Sequence, residues 1–238
     1  MVKKQRLIIK ISGASIKDKN NSIFCNKKLL HLANQIKTLT KFYSIGVVLG
    51  GGNIWRGNMT KNNIFSSSSA DYMGMVSTII NGIALKEVLQ KIGVKAELFS
   101  ALNIEKVALK ISSQLINKKI SEDKLLIFAG GIGKPSYTTD TACVQRAIDI
   151  HAKMIFMGKD GVSGVYTSDP KKVKNAKFIS DITFARAIKM HLNVMDLTAM
   201  QMCKKSNIDI YVFKADSKNA IVNIAKKTNK IKYTYVHN

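Results

Sequence analysis

Three glycine-rich turns each follow a short apolar run: Gly13 in Ile-Ser-Gly, Gly50-Gly51-Gly52-Asn53, and Gly130-Gly131-Ile132-Gly133. Glycine lets a backbone approach a ligand closely and present its N–H groups, a geometry that suits phosphates. Cationic side chains lie beside these turns. Lys10 interrupts an otherwise apolar run three residues before Gly13. A lysine there is costly unless its ammonium reaches the strand end and meets an anion; the alternative is an edge position or snorkelling. Arg56 follows the second turn and offers a fork of donors to phosphate oxygens. After the third turn, Thr138, Thr139 and Asp140 lead into an amphipathic stretch, so hydroxyls and a helix N-terminus meet there. A fourth polar segment, Gly158 to Pro170, carries Lys159 for phosphate and Tyr166 for stacking on a base, or is an ordinary loop ending at Asp169-Pro170. Asp71 is either a first-turn residue answering a helix dipole or a carboxylate accepting from ligand hydroxyls.

Other chemistries find little support. Gly133-Lys134 lacks the spacing and the following Ser or Thr of a P-loop, and no turn matches the dinucleotide Gly-x-Gly-x-x-Gly pattern in context. His31, His151, His191 and His237 are dispersed, which supports neither a metal cluster nor a triad. Cys25, Cys143 and Cys203 are odd in number and far apart, so the expectation is reduced thiols in a cytoplasmic protein. The basic start, Met1 to Arg6, precedes an apolar run too short for a signal peptide, and no stretch approaches a membrane span.

The net charge of +23 over 238 residues is extreme. The lysines are scattered, with local clusters at Lys171, Lys172, Lys174 and Lys177 and at Lys226, Lys227, Lys230 and Lys232. Neither cluster is interleaved with aromatics as a single-strand binder needs. They read as solvated surface that helps an anionic substrate arrive, with no specific nucleic acid partner.

The elements that must hold these residues alternate along the chain. Strands are predicted at 6–12, 44–49, 94–100, 125–129, 154–157, 208–213 and 232–236. Helices are predicted at 26–41, 70–92, 104–117, 140–152, 183–191, 196–206 and 219–227. This is the pattern of a doubly wound, mostly parallel sheet covered by helices on both faces, a three-layer α/β/α sandwich in a single domain. Ligands in such sheets bind at the carboxyl ends of the strands, where the glycine turns lie. The polar segment 58–69, with its serine run from Ser66 to Ser69, reads as a lid or a surface loop.

Ordered blocks across nearly the whole chain carry a resemblance. They are Lys-Ile-Ser-Gly (10–13), Val-Leu-Gly-Gly-Gly-Asn-Ile-Trp-Arg-Gly (48–57), Asp-Tyr-Met-Gly-Met (71–75) with Asn81-Gly82, Gly-x-Gly-x-Pro-x-Tyr-Thr-Thr-Asp (131–140), Gly-Val-Tyr-x-x-Asp-Pro (164–170) and Val-Met-Asp (194–196). The set resembles the bacterial-type uridylate kinases of the amino acid kinase family. The resemblance implies transfer of the γ-phosphoryl group of ATP, with Mg²⁺, to UMP. It implies that Lys10, Ile11, Ser12 and Gly13 hold ATP phosphates, with Gly52 and Arg56 between the nucleotides on the ATP side. Asp160, Tyr166 and Asp169 would frame the ATP nucleoside. Gly51 would contact UMP, Asp71 its ribose, and Ile132, Gly133, Lys134, Pro135, Ser136, Tyr137, Thr138 and Thr139 its base and phosphate. Lys10 and Lys159 would stabilise the transferring group, and Asp196 would order Lys10 or the magnesium waters; no side chain is assigned as a direct metal ligand. The N-terminal part would serve mainly UMP and the C-terminal part mainly ATP. The family is typically homohexameric, often activated by GTP and inhibited by UTP.

The chain departs from that pattern at Ile132 (usually polar), Ser136 (usually aromatic), Ser163 (usually Asp), Ala14 (usually Glu) and Asp160 (usually neutral). The expectation is altered ATP affinity rather than inactivity. A related carboxylate or carbamate kinase, a non-catalytic nucleotide-binding regulator or storage oligomer, and a basic nucleic-acid binder are the alternatives.

Overall fold

In a computed structural model of the chain, residues 4–18, 22–56 and 64–238 are described. Gly57 and the first half of the polar segment 58–69, residues 58–63, lie outside them. The strands are β1 (Gln5–Ile11), β2 (Tyr43–Leu49), β3 (Ala96–Ser100), β4 (Leu109–Lys110), β5 (Leu125–Ala129), β6 (Met154–Lys159), β7 (Val165–Tyr166), β8 (Phe178–Ile179), β9 (Asp181–Thr183), β10 (Asp209–Lys214) and β11 (Tyr233–His237). The helices are α1 (Asn26–Leu39), α2 (Ser67–Lys91), α3 (Ser113–Ser121), α4 (Thr139–Asp149), α5 (Phe184–Lys189), α6 (Leu197–Ser206) and α7 (Ala220–Ala225).

Nine strands form one sheet in the order β4-β3-β5-β2-β1-β6-β10-β11-β9. All its pairings are parallel except β10 with β11. β7 and β8 form a separate antiparallel pair. The central strands are buried on both faces, so period 2 sorts their residues between two cores. Leu7, Ile9, Ile11, Val47 and Leu49 pack with residues of α1, α2 and α7. Ile8, Val48, Ile155 and Met157 pack with residues of α4, α5 and α6. Lys10 shares the parity of Ile8, and Lys159 that of Met157. Both lysines therefore emerge on the α4 side, at the carboxyl ends of neighbouring strands.

The doubly wound sheet agrees with the sequence pattern. Of the helix predicted at 104–117, only residues 113–117 are helical, as the start of α3. Val107 and Ala108 close a turn onto the Ile104 carbonyl, β4 pairs with β3 at the sheet edge, and α3 starts only after Ser112, whose Oγ accepts from Leu115 N. Short-range capping at Ser112 outweighed the apolar spacing upstream. The serine run proved to be helix rather than loop: Ser66 caps α2 by accepting from Ser69 N. α4 stops before His151, which adopts a left-handed backbone with φ 51°.

Gly46 sits mid-strand in β2, where a Cβ would stand 2.5 Å from Ile8 Cδ1 and 3.0 Å from Phe128 Cε2. We expect Gly46→Val to overpack this core and destabilise the protein by about 1–3 kcal/mol, read as a lower urea midpoint with an unchanged m-value.

Candidate active site

The first two glycine turns touch each other. Gly50 N donates to the Ile11 carbonyl at 3.0 Å, and a Cβ on Gly13 would stand 2.3 Å from the Gly50 carbonyl oxygen. Only glycine allows that approach. The second turn is pinned from below by a buried amide pair. Asn53 Nδ2 donates to Asn81 Oδ1 at 2.9 Å, and Asn81 Nδ2 donates to Asn53 Oδ1 at 2.7 Å and to the Gly50 carbonyl at 2.7 Å. A further bond runs from Asn53 Nδ2 to the Ile23 carbonyl. Asn81 is on α2, so this pair fastens the turn to that helix.

The third turn uses left-handed backbone at Gly130, Gly131 and Gly133. Gly130 N donates to Thr78 Oγ1 at 2.8 Å, which ties this turn to α2 as well. Beyond it, Ser136 is also left-handed, with φ 71°, and its N–H donates to Asp71 Oδ2 at 2.7 Å. α2 begins at Ser67, so Asp71 lies past the first turn. Its carboxylate holds the loop after β5 rather than answering the helix dipole. Gly51, Asp71 and the 132–139 loop thus gather around the amino-terminal half of α2. Within that loop Lys134, Ser136, Tyr137 and Thr138 are exposed, while Ile132, Gly133, Pro135 and Thr139 are half-buried.

Thr138 caps α4 by accepting from Asp140 N and Thr141 N. Its hydroxyl donates in turn to Asp196 Oδ2. Thr141 Oγ1 donates to the same oxygen at 2.9 Å, and Ala199 N to Asp196 Oδ1 at 2.8 Å. Burial pushes the Asp196 carboxyl up, but these donors outweigh it and hold it below the ordinary carboxylate value. Asp196 is therefore the cap of α6 and the anchor of the α4 start. The ordering of Lys10 assigned to it belongs to Asp140, whose Oδ1 is 2.8 Å from Lys10 Nζ with both side chains largely buried. Asp140 sits where α4 approaches the face that Lys10 shares with Ile8.

Lys159 Nζ donates to the Asn193 carbonyl at 2.7 Å. Burial pushes its pKa down to about 8; Asp140 opposes that shift and Lys10 adds to it. Asp140 therefore acts electrostatically on both ammonium groups. A cleft of ≈ 470 Å³ opens beside them, lined by Lys10, Ser12, Lys159, Asp160, Tyr166 and Asp169 among others. That volume suits a nucleotide-sized ligand. Tyr166 packs edge-on against Phe178 across the β7–β8 pair. Asp169 Oδ1 accepts from Lys171 N, so this carboxylate also shapes its own turn.

Four assigned residues differ in detail. The Ile11 side chain is buried in the opposite core, so only its backbone faces the turns. Ser12 N is taken up by the Gly158 carbonyl at 3.2 Å. Arg56 folds back, its Nε donating to the Gly52 carbonyl at 2.8 Å, and neither Arg56 nor Gly52 lines the cleft. Sequence reasoning gave no role to Asn53, Asn81, Thr141 or Asn193. The parity of Lys10 in β1 was the available signal for its α4 partner. The tie from Lys159 to the Asn193 carbonyl had none, because the acceptor is backbone. Among the described residues no three His, Cys, Asp or Glu side chains gather as a metal site, and no helix is long and apolar enough to cross a membrane.

A doubly wound sheet with glycine turns and two lysines at its carboxyl edge defines a phosphate-handling α/β protein. The chain belongs to the amino acid kinase family, which it matches over residues 5–214. It is 44% identical over 235 residues to the uridylate kinase of Ureaplasma parvum, covering 99% of both chains, and 42% identical to that of Mycoplasmoides gallisepticum, covering 96% of this chain and 98% of the other. Its structure is similar to the crystal structure of UMP kinase from Ureaplasma parvum (TM-score 0.95, 43% identity, all of both chains). It is also similar to that of UMP kinase from Bacillus anthracis (TM-score 0.91, 30% identity, 98% of this chain and 96% of the other).

Removing Asn81 would leave Asn53 Oδ1 and the Gly50 carbonyl without their buried donor. We expect Asn81→Ala to lower stability by at least ~2 kcal/mol, measured by urea unfolding.

Proposed function

We propose that the chain transfers the γ-phosphoryl group of ATP to UMP, giving ADP and UDP. The observation that carries this reading is the pair of lysines on one sheet face, joined by Asp140 to the helix whose amino-terminal loop would take the acceptor. The similarity to uridylate kinases over nearly the whole chain supports it.

ATP would occupy the cleft beside Lys10, Ser12, Gly13, Lys159, Asp160, Tyr166 and Asp169. UMP would lie against Gly51, Asp71 and the 132–139 loop, so the two halves of the chain divide the substrates. The acceptor phosphate is already an anionic nucleophile, and catalysis is positioning plus charge neutralisation. Lys10 and Lys159 answer the charge on the transferring group. Asp140 keeps Lys10 extended toward it, and Asp196 keeps the α4 start in place. Mg²⁺ would arrive with ATP and screen its phosphates. Phosphate oxygens and waters suit this ion, which rarely needs a cage made wholly of protein.

We read the protein as self-associating, toward a homohexamer. The α2 surface supports this: Tyr72, Val76, Ile80 and Ile83 are each more than 40% exposed in one stripe. In a chain with 38 lysines and arginines, residues 64–85 contain none, so two copies could meet there without opposing like charges. GTP activation and UTP inhibition come from the resemblance alone. The thiols of Cys143 and Cys203 are free and buried, in keeping with a cytoplasmic setting.

The direct test couples ADP release to Mg-ATP with UMP, CMP, dCMP or no acceptor. We expect turnover with UMP far above that with CMP or dCMP, and a loss of at least ~100-fold in Lys10→Ala. Comparable rates with CMP overturn the specificity. No turnover with any acceptor, in folded protein that still binds nucleotide, points to a regulatory or storage role. A second test uses pH. The Lys159 charge is present below about 8 and lost above it. We therefore expect kcat/KM for ATP to fall by up to about tenfold per unit above that point, and Lys159→Arg to flatten this limb.

A further inference from the structure

Among the described residues, three side chains hold buried polar atoms with no hydrogen bond: Trp55 through Nε1, Asp140 through Oδ1, which has the Lys10 ammonium 2.8 Å away, and Arg146 through both Nε and Nη1. Arg146 is on α4, and its residue is only 6% exposed. Nη1 lies 3.2 Å from Asp149 Oδ2 but out of line for a hydrogen bond. The guanidinium carbon stands 6.0 Å from the centre of the Phe128 ring. A buried arginine so loosely held is an expensive way to fill a core, where an apolar side chain of similar volume does better. Such an exception to the satisfaction of buried donors calls for a cause.

Its position supplies one. Helix side chains lean toward the amino terminus, so Arg146 reaches back over Ala142 toward Thr139, on the same face of α4. These three residues line one small enclosed cavity with Thr78, Phe128, Ala129 and Gly131. The cavity is ≈ 10 Å³, about the space of a single water. Its roof is the third glycine turn and the start of α4, the loop assigned to the acceptor phosphate. The other ties on that loop, from Thr78, Asp71 and Asp196, are all made by short side chains with ordinary hydrogen bonds. Arg146 differs from them in bringing a full positive charge to this cavity.

We propose that Arg146 is a positioning residue for the acceptor. Its guanidinium braces the underside of Gly131 and Thr139 and biases the loop toward an anion. The inference rests on the assignment of this loop to UMP. It predicts an effect on the acceptor and little on ATP, because the ATP cleft is built from β1, β6 and the 160–171 segment.

The test measures UMP and ATP binding by calorimetry, together with steady-state constants for each, in wild type, Arg146→Lys and Arg146→Met. We expect Arg146→Met to raise Kd and KM for UMP by about tenfold while KM for ATP stays within about twofold. Arg146→Lys should recover much of that loss by keeping the charge. Folded Arg146→Met with unchanged UMP constants overturns the proposal, as does a parallel loss for both substrates. If Arg146→Met does not fold, Arg146→Gln and Arg146→Lys decide it: equal UMP affinity in these two variants removes the role of the charge and overturns the proposal. Wild type that binds ATP but not UMP would overturn the acceptor assignment itself, a result distinct from wild type and variant binding UMP alike.

Discussion

The ion pair between Lys10 and Asp140 joins the sheet to the α4 layer at the point where the ligand charge falls. Lys10 comes from the central strand of the sheet, and Asp140 from the first turn of α4. Because both side chains are largely buried, neither is a surface pair with little energetic weight. Removing one partner would leave the other as an unpaired charge in a dry region. The pair also sets the register of what surrounds it. α4 is held at a fixed height over the sheet, which fixes the loop before it, and Lys159 is left with a weaker, backbone partner. The site thus has one lysine clamped by a carboxylate and one whose proton is held loosely. A polyanion entering the cleft finds both.

The supports of the site are layered in a consistent way. Glycines bring backbone to backbone where two turns meet, and the Asn53–Asn81 pair satisfies the polar atoms that this close approach buries. Side-chain oxygens from α2 and α6 then hold the third turn and the cap of α4. Each of these bonds is local in space and remote in sequence. The loop that meets the acceptor is therefore stiffened from outside itself, which suits left-handed backbone at Ser136 that would not persist alone.

The sheet was readable because its strands are continuous apolar runs and its helices have clear periodicity. The glycine turns were readable because glycine after a buried strand has few other uses. What could not be read was partnership. Asp140 read only as part of the approach to a helix, and it is the facing of α4 against β1 that selects the ion pair with Lys10. The resemblance gave Asp196 the ordering of Lys10 or the magnesium waters, yet in the structure three donors, from Thr138, Thr141 and Ala199, converge on it. The helix predicted at 104–117, which forms only from Ser113, shows the same limit at the level of elements. Apolar spacing there served a turn and an edge strand, and the cap at Ser112 decided where α3 could begin.

The two lysines also bear on how the protein fares in a cell. They stand on adjacent strands with Asp140 between them, so a bound nucleotide adds negative charge where two ammonium groups converge. Whatever binds the folded chain and not the unfolded one adds to its stability in proportion to the logarithm of ligand concentration, about 2.7 kcal/mol at a hundredfold excess over Kd. The lifetime of this protein against proteolysis is thereby tied to the nucleotide pool: starvation that drains the pool would shorten it, and abundance would preserve it.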